Sequence, residues 1–72
     1  MNKFDITIGS LPDREKLVAK IYYDNYQWVE ISQETDQLII QFYPHPKKDF
    51  WEFSYDEAIT VLEKAKNKFL GR

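Results

Sequence analysis

Apolar and polar residues alternate at the start of the chain. Phe4, Ile6 and Ile8 are separated by Asp5 and Thr7, the period of a strand with one buried face. Gly9, Ser10, Leu11, Pro12 and Asp13 break the pattern, because Gly and Pro punctuate strands and Leu11 precedes a proline. Alternation returns over residues 17–23, with Leu17, Ala19 and Ile21 on one face. Asp24 and Asn25 mark a tight turn, since both residue types tolerate a left-handed backbone. Residues 27–33 predict a third strand, 34–37 a polar turn and 38–43 a fourth strand. The segment 44–49 carries Pro44 and Pro46 and cannot continue a central strand, so it reads as a loop. Residues 50–53 predict a short fifth strand.

The period then changes. Ser54 with Glu57 three positions on is a capping box, in which each side chain satisfies an orphan N–H of the other residue's backbone. A helix follows to about Leu70, with Ala58, Leu62, Ala65 and Phe69 on one stripe and Ile59 and Val61 widening it. Lys64, Lys66 and Lys68 lie towards its end, where the helix dipole favours cations, and Gly71 is a suitable stop. The expected fold is α+β: an antiparallel β-meander of four to five strands with one C-terminal α-helix packed on one face, in a single domain over residues 1–72. Whether residues 3–8 pair beside the second strand or at the far edge stays open.

Register can be argued because a one-residue slip exchanges the faces of a strand. A three-residue loop at Asp24, Asn25 and Tyr26 sets Tyr23 opposite Gln27, Ile21 opposite Val29 and Ala19 opposite Ile31. It pairs Lys20 with Glu30 and Tyr22 with Trp28 on the other side, both favourable cross-strand pairs. A two-residue loop would oppose Ala19 to Glu30 and Ile21 to Trp28, so the longer loop is preferred. The turn at 34–37 then opposes Ile31 to Ile40 and Val29 to Phe42 inside, and Trp28 to Tyr43 and Glu30 to Gln41 outside. Trp51 and Phe53 point in; Phe50 and Glu52 point out. The helix covers the inner face, and nothing evident covers the outer one.

The outer face therefore carries Tyr22, Trp28, Tyr43 and Phe50, flanked by Lys20, Glu30, Gln41 and Glu52. Composition sharpens this. Twelve of the 72 residues are aromatic (five Phe, five Tyr and two Trp), a large number for so small a core. One reading is a protein-binding surface, with Tyr22, Trp28, Glu30, Tyr43, Phe50 and Glu52 as the contact residues and Trp28 the anchor. The other is mutual cross-strand packing, or burial under the 9–16 loop.

Charge and chemistry remove other classes. Twelve acidic residues against ten basic ones give a net charge of −2, which repels nucleic acid, and Glu30 and Glu52 interleave with the rings a base would stack on. No apolar run approaches the roughly 20 residues of a membrane span, and Met1 opens no signal peptide, so the expected address is the cytoplasm. There is no cysteine for a disulfide or thiolate site. His45, the only histidine, sits between two prolines and reads as a structural loop residue. The carboxylate pairs Asp13/Glu15, Glu34/Asp36 and Asp56/Glu57 fall in polar loops and a helix start, where solvation explains them. No Gly-rich phosphate loop and no nucleophile motif is present. No catalytic residue, metal site or cofactor is expected.

The stretch Leu17-Val18-Ala19-Lys20-Ile21-Tyr22-Tyr23-Asp24, continuing through Trp28-Val29-Glu30-Ile31-Ser32-Gln33-Glu34, carries a resemblance. With the preceding LPDRE and the closing WEFSYDEAITVLEKAK, it resembles small bacterial immunity proteins of polymorphic toxins. Contact-dependent growth inhibition systems are the nearest association. The resemblance covers residues 6–70 and contains no catalytic signature. It implies a small, acidic, cytoplasmic and non-catalytic protein that binds a cognate toxin domain, commonly a nuclease, and blocks its active site. It assigns no contact residue. The alternative is a general interaction module, or a subunit that forms a homodimer, using the aromatic face.

Overall fold

The computed structural model describes residues 3–10 and 16–71. Four strands, β1 (Phe4–Gly9), β2 (Val18–Tyr23), β3 (Tyr26–Ser32) and β4 (Ile39–Phe42), precede one helix, α1 (Tyr55–Phe69). The sheet is antiparallel in the order β1-β2-β3-β4, so the first strand pairs beside the second. The break expected at Leu11, Pro12 and Asp13 lies outside the described residues. No strand forms at 50–53. That segment instead folds back to bring Trp51 and Phe53 against the core, with Phe50 and Glu52 left exposed.

The β2–β3 hairpin departs from the expected loop. Asp24 and Asn25 have φ of 54° and 73°, the two positive values of a two-residue type I′ turn, and Tyr23 faces Tyr26 across it. A β-bulge then absorbs one residue of β3: Tyr22 faces Gln27, whereas Ile21 faces Val29. Beyond the bulge the expected pairs Ile21–Val29, Lys20–Glu30 and Ala19–Ile31 all form, as do Val29–Phe42, Glu30–Gln41 and Ile31–Ile40 on the far side. The Tyr22–Trp28 pair does not. Because the turn needs a left-handed residue at 25, Asn25→Val should cost about 1–2 kcal/mol. Asn25→Gly should be neutral or stabilising. Urea unfolding of both variants checks this.

α1 forms one half of the expected capping box. The Ser54 hydroxyl accepts from the Glu57 backbone N–H at 3.4 Å, and Gly71 adopts φ 78° beyond the last turn. Val61 and Ala65 are buried, with Ala58, Leu62 and Phe69 packed around them. Ile59, expected on the core stripe, is instead exposed. The core joins Val61 and Ala65 to Ala19, Ile21, Trp28, Val29 and Ile31. Leu17 falls outside β2 and is exposed, while Val18 on the opposite face is fully buried.

Candidate functional site

The helix decides where the surface remains apolar. α1 packs chiefly on β2, with β1 and β3 to either side, and no Cα of β4 lies within 8 Å of it. A helix is about 10 Å wide and strands lie about 4.8 Å apart, so one helix covers little more than two strands of this sheet. Every residue of β4 is consequently exposed. Phe42 is 62% exposed and Ile40 44%, although both share the inner face with Val29 and Ile31. Leu38 and Ile59 extend the strip.

Between this strand and the flank of α1 runs a groove of about 210 Å³. Leu38, Ile39 and Ile40 form one wall and Ile31 the floor. Leu62, Glu63 and Lys66 form the other wall, one turn apart along the helix. The Tyr43 N–H donates to the Trp28 carbonyl at 2.9 Å, which sets the phase of the β3–β4 ladder. In that phase Ile40 and Phe42 turn their backbone N–H and C=O away from β3. β4 ends the sheet, and among the described residues no strand pairs with its outer edge. A strand edge unpaired among the described residues thus lies beside an apolar groove.

The residues expected to form an aromatic contact row do not come together. Trp28 is only 7% exposed, its ring 4.7 Å from Phe53, 5.8 Å from Phe4 and 6.1 Å from Phe42, because the bulge carries it into the core cluster. Glu30 is 1% exposed and accepts from the Tyr43 hydroxyl at 2.9 Å, so it too is withdrawn from the surface. With Val18 and Ser32 also buried, the outer face is not bare at its centre. Tyr22 and Tyr43 are half-buried; only Phe50 and Glu52 stand fully exposed among the six. The Tyr43 hydroxyl thus satisfies an oxygen of a buried carboxyl. Tyr43→Phe keeps the ring and should lose about 1–2 kcal/mol in chemical denaturation.

The sequence reading of His45 as a loop residue matches its geometry. Its Nδ1 accepts from the backbone N–H of Lys47 and Lys48 at 3.0 and 3.1 Å, and its ring lies 4.5 Å from Trp51. The Trp51 indole N–H in turn donates to the Tyr43 carbonyl at 2.7 Å. This cluster pins the 44–53 segment to the end of the sheet. A second, more polar cavity of about 390 Å³ opens there, lined by Tyr26, His45, Lys47, Lys48 and Phe50 among others.

Among the described residues no group of three or more His, Cys, Asp or Glu side chains could hold a metal ion. No helix among them is long and apolar enough to cross a membrane. No protein-family model, curated protein or solved structure matches the chain. Leu38, Ile40, Phe42 and Ile59 were not legible as surface residues from alternation, which marks an inward face without saying how far the helix reaches. The signal that could have found them is the ratio of four strands to one helix.

Proposed function

We propose that the protein acts by binding a protein partner on the α1–β4 groove, and that its specific role is that of a non-catalytic immunity protein. It neutralises a cognate toxin domain, a nuclease, by covering the active site. The observation that carries the binding role is the exposure of Leu38, Ile40 and Phe42 beside a free strand edge. Leu17, Phe50 and Tyr55 are exposed elsewhere, but Leu38, Ile40 and Phe42 follow one another along the 38–42 segment, and contiguous apolar surface is what marks an interaction site. The excess of acidic over basic residues suits a cationic partner such as a nuclease, whose approach it would steer. The resemblance of the 17–34 and 51–66 segments to immunity proteins supports the specific role.

The test is co-expression with the C-terminal domain of the toxin encoded beside this gene. Growth should be restored and the two proteins should co-purify. Failure of both would sink the proposal. Self-association through β4 is the second reading, favoured by the outward backbone groups of Ile40 and Phe42, which a two-fold axis can pair with their copies. Sedimentation showing a monomer at all concentrations would remove it.

A further inference from the structure

We infer that His45 is a pH-sensitive latch on the 46–49 bend, releasing the rim of the cavity beside it when the imidazole gains a second proton. The inference stands apart from the α1–β4 groove and from any partner. Its ground is a single acceptor on which the bend depends. Pro46 has no N–H, so the first backbone donors after His45 are those of Lys47 and Lys48. Both converge on His45 Nδ1, at 3.0 and 3.1 Å, and among the described residues no other acceptor serves either of them. Nδ1 accepts only as a bare ring nitrogen, so the hydrogen of the neutral imidazole sits on Nε2.

The surroundings hold the ring in place without deciding its charge. It lies 4.5 Å from Trp51 and 5.4 Å from Tyr26 of β3, and both rings attract a cation over their faces. The charged groups of the same cavity are Lys3, Lys47 and Lys48 against Asp24 and Glu52, beside the phenols of Tyr23 and Tyr26. Three lysines oppose a charge on His45 while two carboxylates and two ring faces favour it, so these influences largely offset one another. The hydrogen bonds to Nδ1 are what distinguish the two protonation states.

A second proton can enter only at Nδ1, because Nε2 already carries one. Nδ1 then becomes a donor facing two donors, and neither bond survives. A ring flip does not restore them, since both nitrogens of an imidazolium are donors. The bonds hold only the neutral ring, so their contribution is complete above the range in which imidazoles titrate and is lost as pH falls through it. The release is local. The N–H groups of Lys47 and Lys48 turn to water, and these two residues line the cavity of about 390 Å³, so its rim loosens. Trp51 and Phe53 stay packed on the core, and the Trp51 indole bond to the Tyr43 carbonyl has no titratable member.

The experiment is a titration of the isotope-labelled full chain from about pH 7.5 to about pH 5.5, followed by nuclear magnetic resonance. At the upper end the ring nitrogen shifts should report the Nε2–H tautomer. On descent, the hydrogen-exchange protection of the Lys47 and Lys48 amides, corrected for intrinsic exchange, should fall about tenfold. The Trp51 indole N–H and the Tyr43 amide, bonded to the Tyr43 and Trp28 carbonyls, should keep theirs. His45→Asn sets an amide oxygen close to the place of Nδ1 and does not titrate, so its protection should not change with pH. His45→Phe keeps a ring against Tyr26 and Trp51 but offers no acceptor, so both amides should exchange freely at every pH. An Nδ1–H tautomer at neutral pH, level protection across the range, or the same fall in His45→Asn as in the parent overturns the inference. Loss of protection at Trp51 and Tyr43 in step with Lys47 and Lys48 also overturns it, because that reports acid unfolding of the whole chain.

Discussion

Trp28→Ala should cost most of the stability of the fold, and not merely a binding contact. The ring is nearly sealed between Phe4, Phe42 and Phe53, and it belongs to the same cluster as Val61 and Ala65 of α1. Truncating a buried aromatic to alanine costs about 3–5 kcal/mol, the lost transfer energy adding to that of the cavity left behind. A domain of this length has roughly 4–10 kcal/mol in total, so much of it would go. The midpoint of thermal unfolding should fall by roughly 15–30 °C. Far-ultraviolet circular dichroism during heating measures this directly. A variant that melts within a few degrees of the parent but no longer binds its partner would return Trp28 to the surface and contradict the bulge. Trp28→Phe, which retains a ring for Phe53 to pack against, should recover most of the loss.

The reason Trp28 is misplaced by sequence reasoning is a degeneracy in the hairpin. Matching Ile21 to Val29 and Ala19 to Ile31 is legible, because any slip by one residue buries Glu30 against an aliphatic face. Those pairs form. Their match implies one extra residue between Tyr22 and Val29, but not where it sits. A three-residue loop places it at the tip, and a two-residue turn with a bulge places it at Gln27 and Trp28. Both give the same register downstream. Asp24 and Asn25, which accept positive φ at both turn positions, are the local signal favouring the second. The fourth strand and the capped helix were legible for simpler reasons, a short alternating run and a Ser54–Glu57 cap.

The groove was illegible for a different reason. Alternation shows that Ile40 and Phe42 point the same way as Val29 and Ile31, and they do. Burial depends on what lies above, and that is a matter of widths: one helix centred on β2 leaves β4 uncovered. The surplus of aromatic residues in the composition thus goes largely into half-buried packing around Trp28. Phe4, Tyr23, Trp28 and Phe53 form a connected ring cluster, with Trp51 at its rim. What remains outside is less aromatic than expected and more aliphatic.

Phe42→Lys should separate binding from folding. Phe42 is 62% exposed but forms one wall of Trp28, ring centroids 6.1 Å apart, so its replacement should cost about 1 kcal/mol, well short of unfolding the domain. Binding should respond more. Phe42 lies just beyond the lining of the groove, at the end of β4, and loss of an exposed aromatic contact there should cost about 1–2 kcal/mol, a weakening of roughly 5–30-fold. A lysine there also places an uncompensated charge where the partner is apolar. The measurement is calorimetric titration with the toxin domain proposed as its partner, beside a thermal melt of the same sample, and growth protection in the co-expressing strain should fall with it. Phe50→Lys is the discriminating control. Phe50 is as exposed as Phe42 but belongs to the 44–53 loop, against the β2–β3 hairpin, and not to the α1–β4 groove. If docking uses the α1–β4 groove, Phe50→Lys leaves affinity and protection intact while Phe42→Lys weakens both. The reverse pattern would move the interface to the His45–Trp51 end, where Phe50 and Glu52 are exposed, and would leave the groove without a partner.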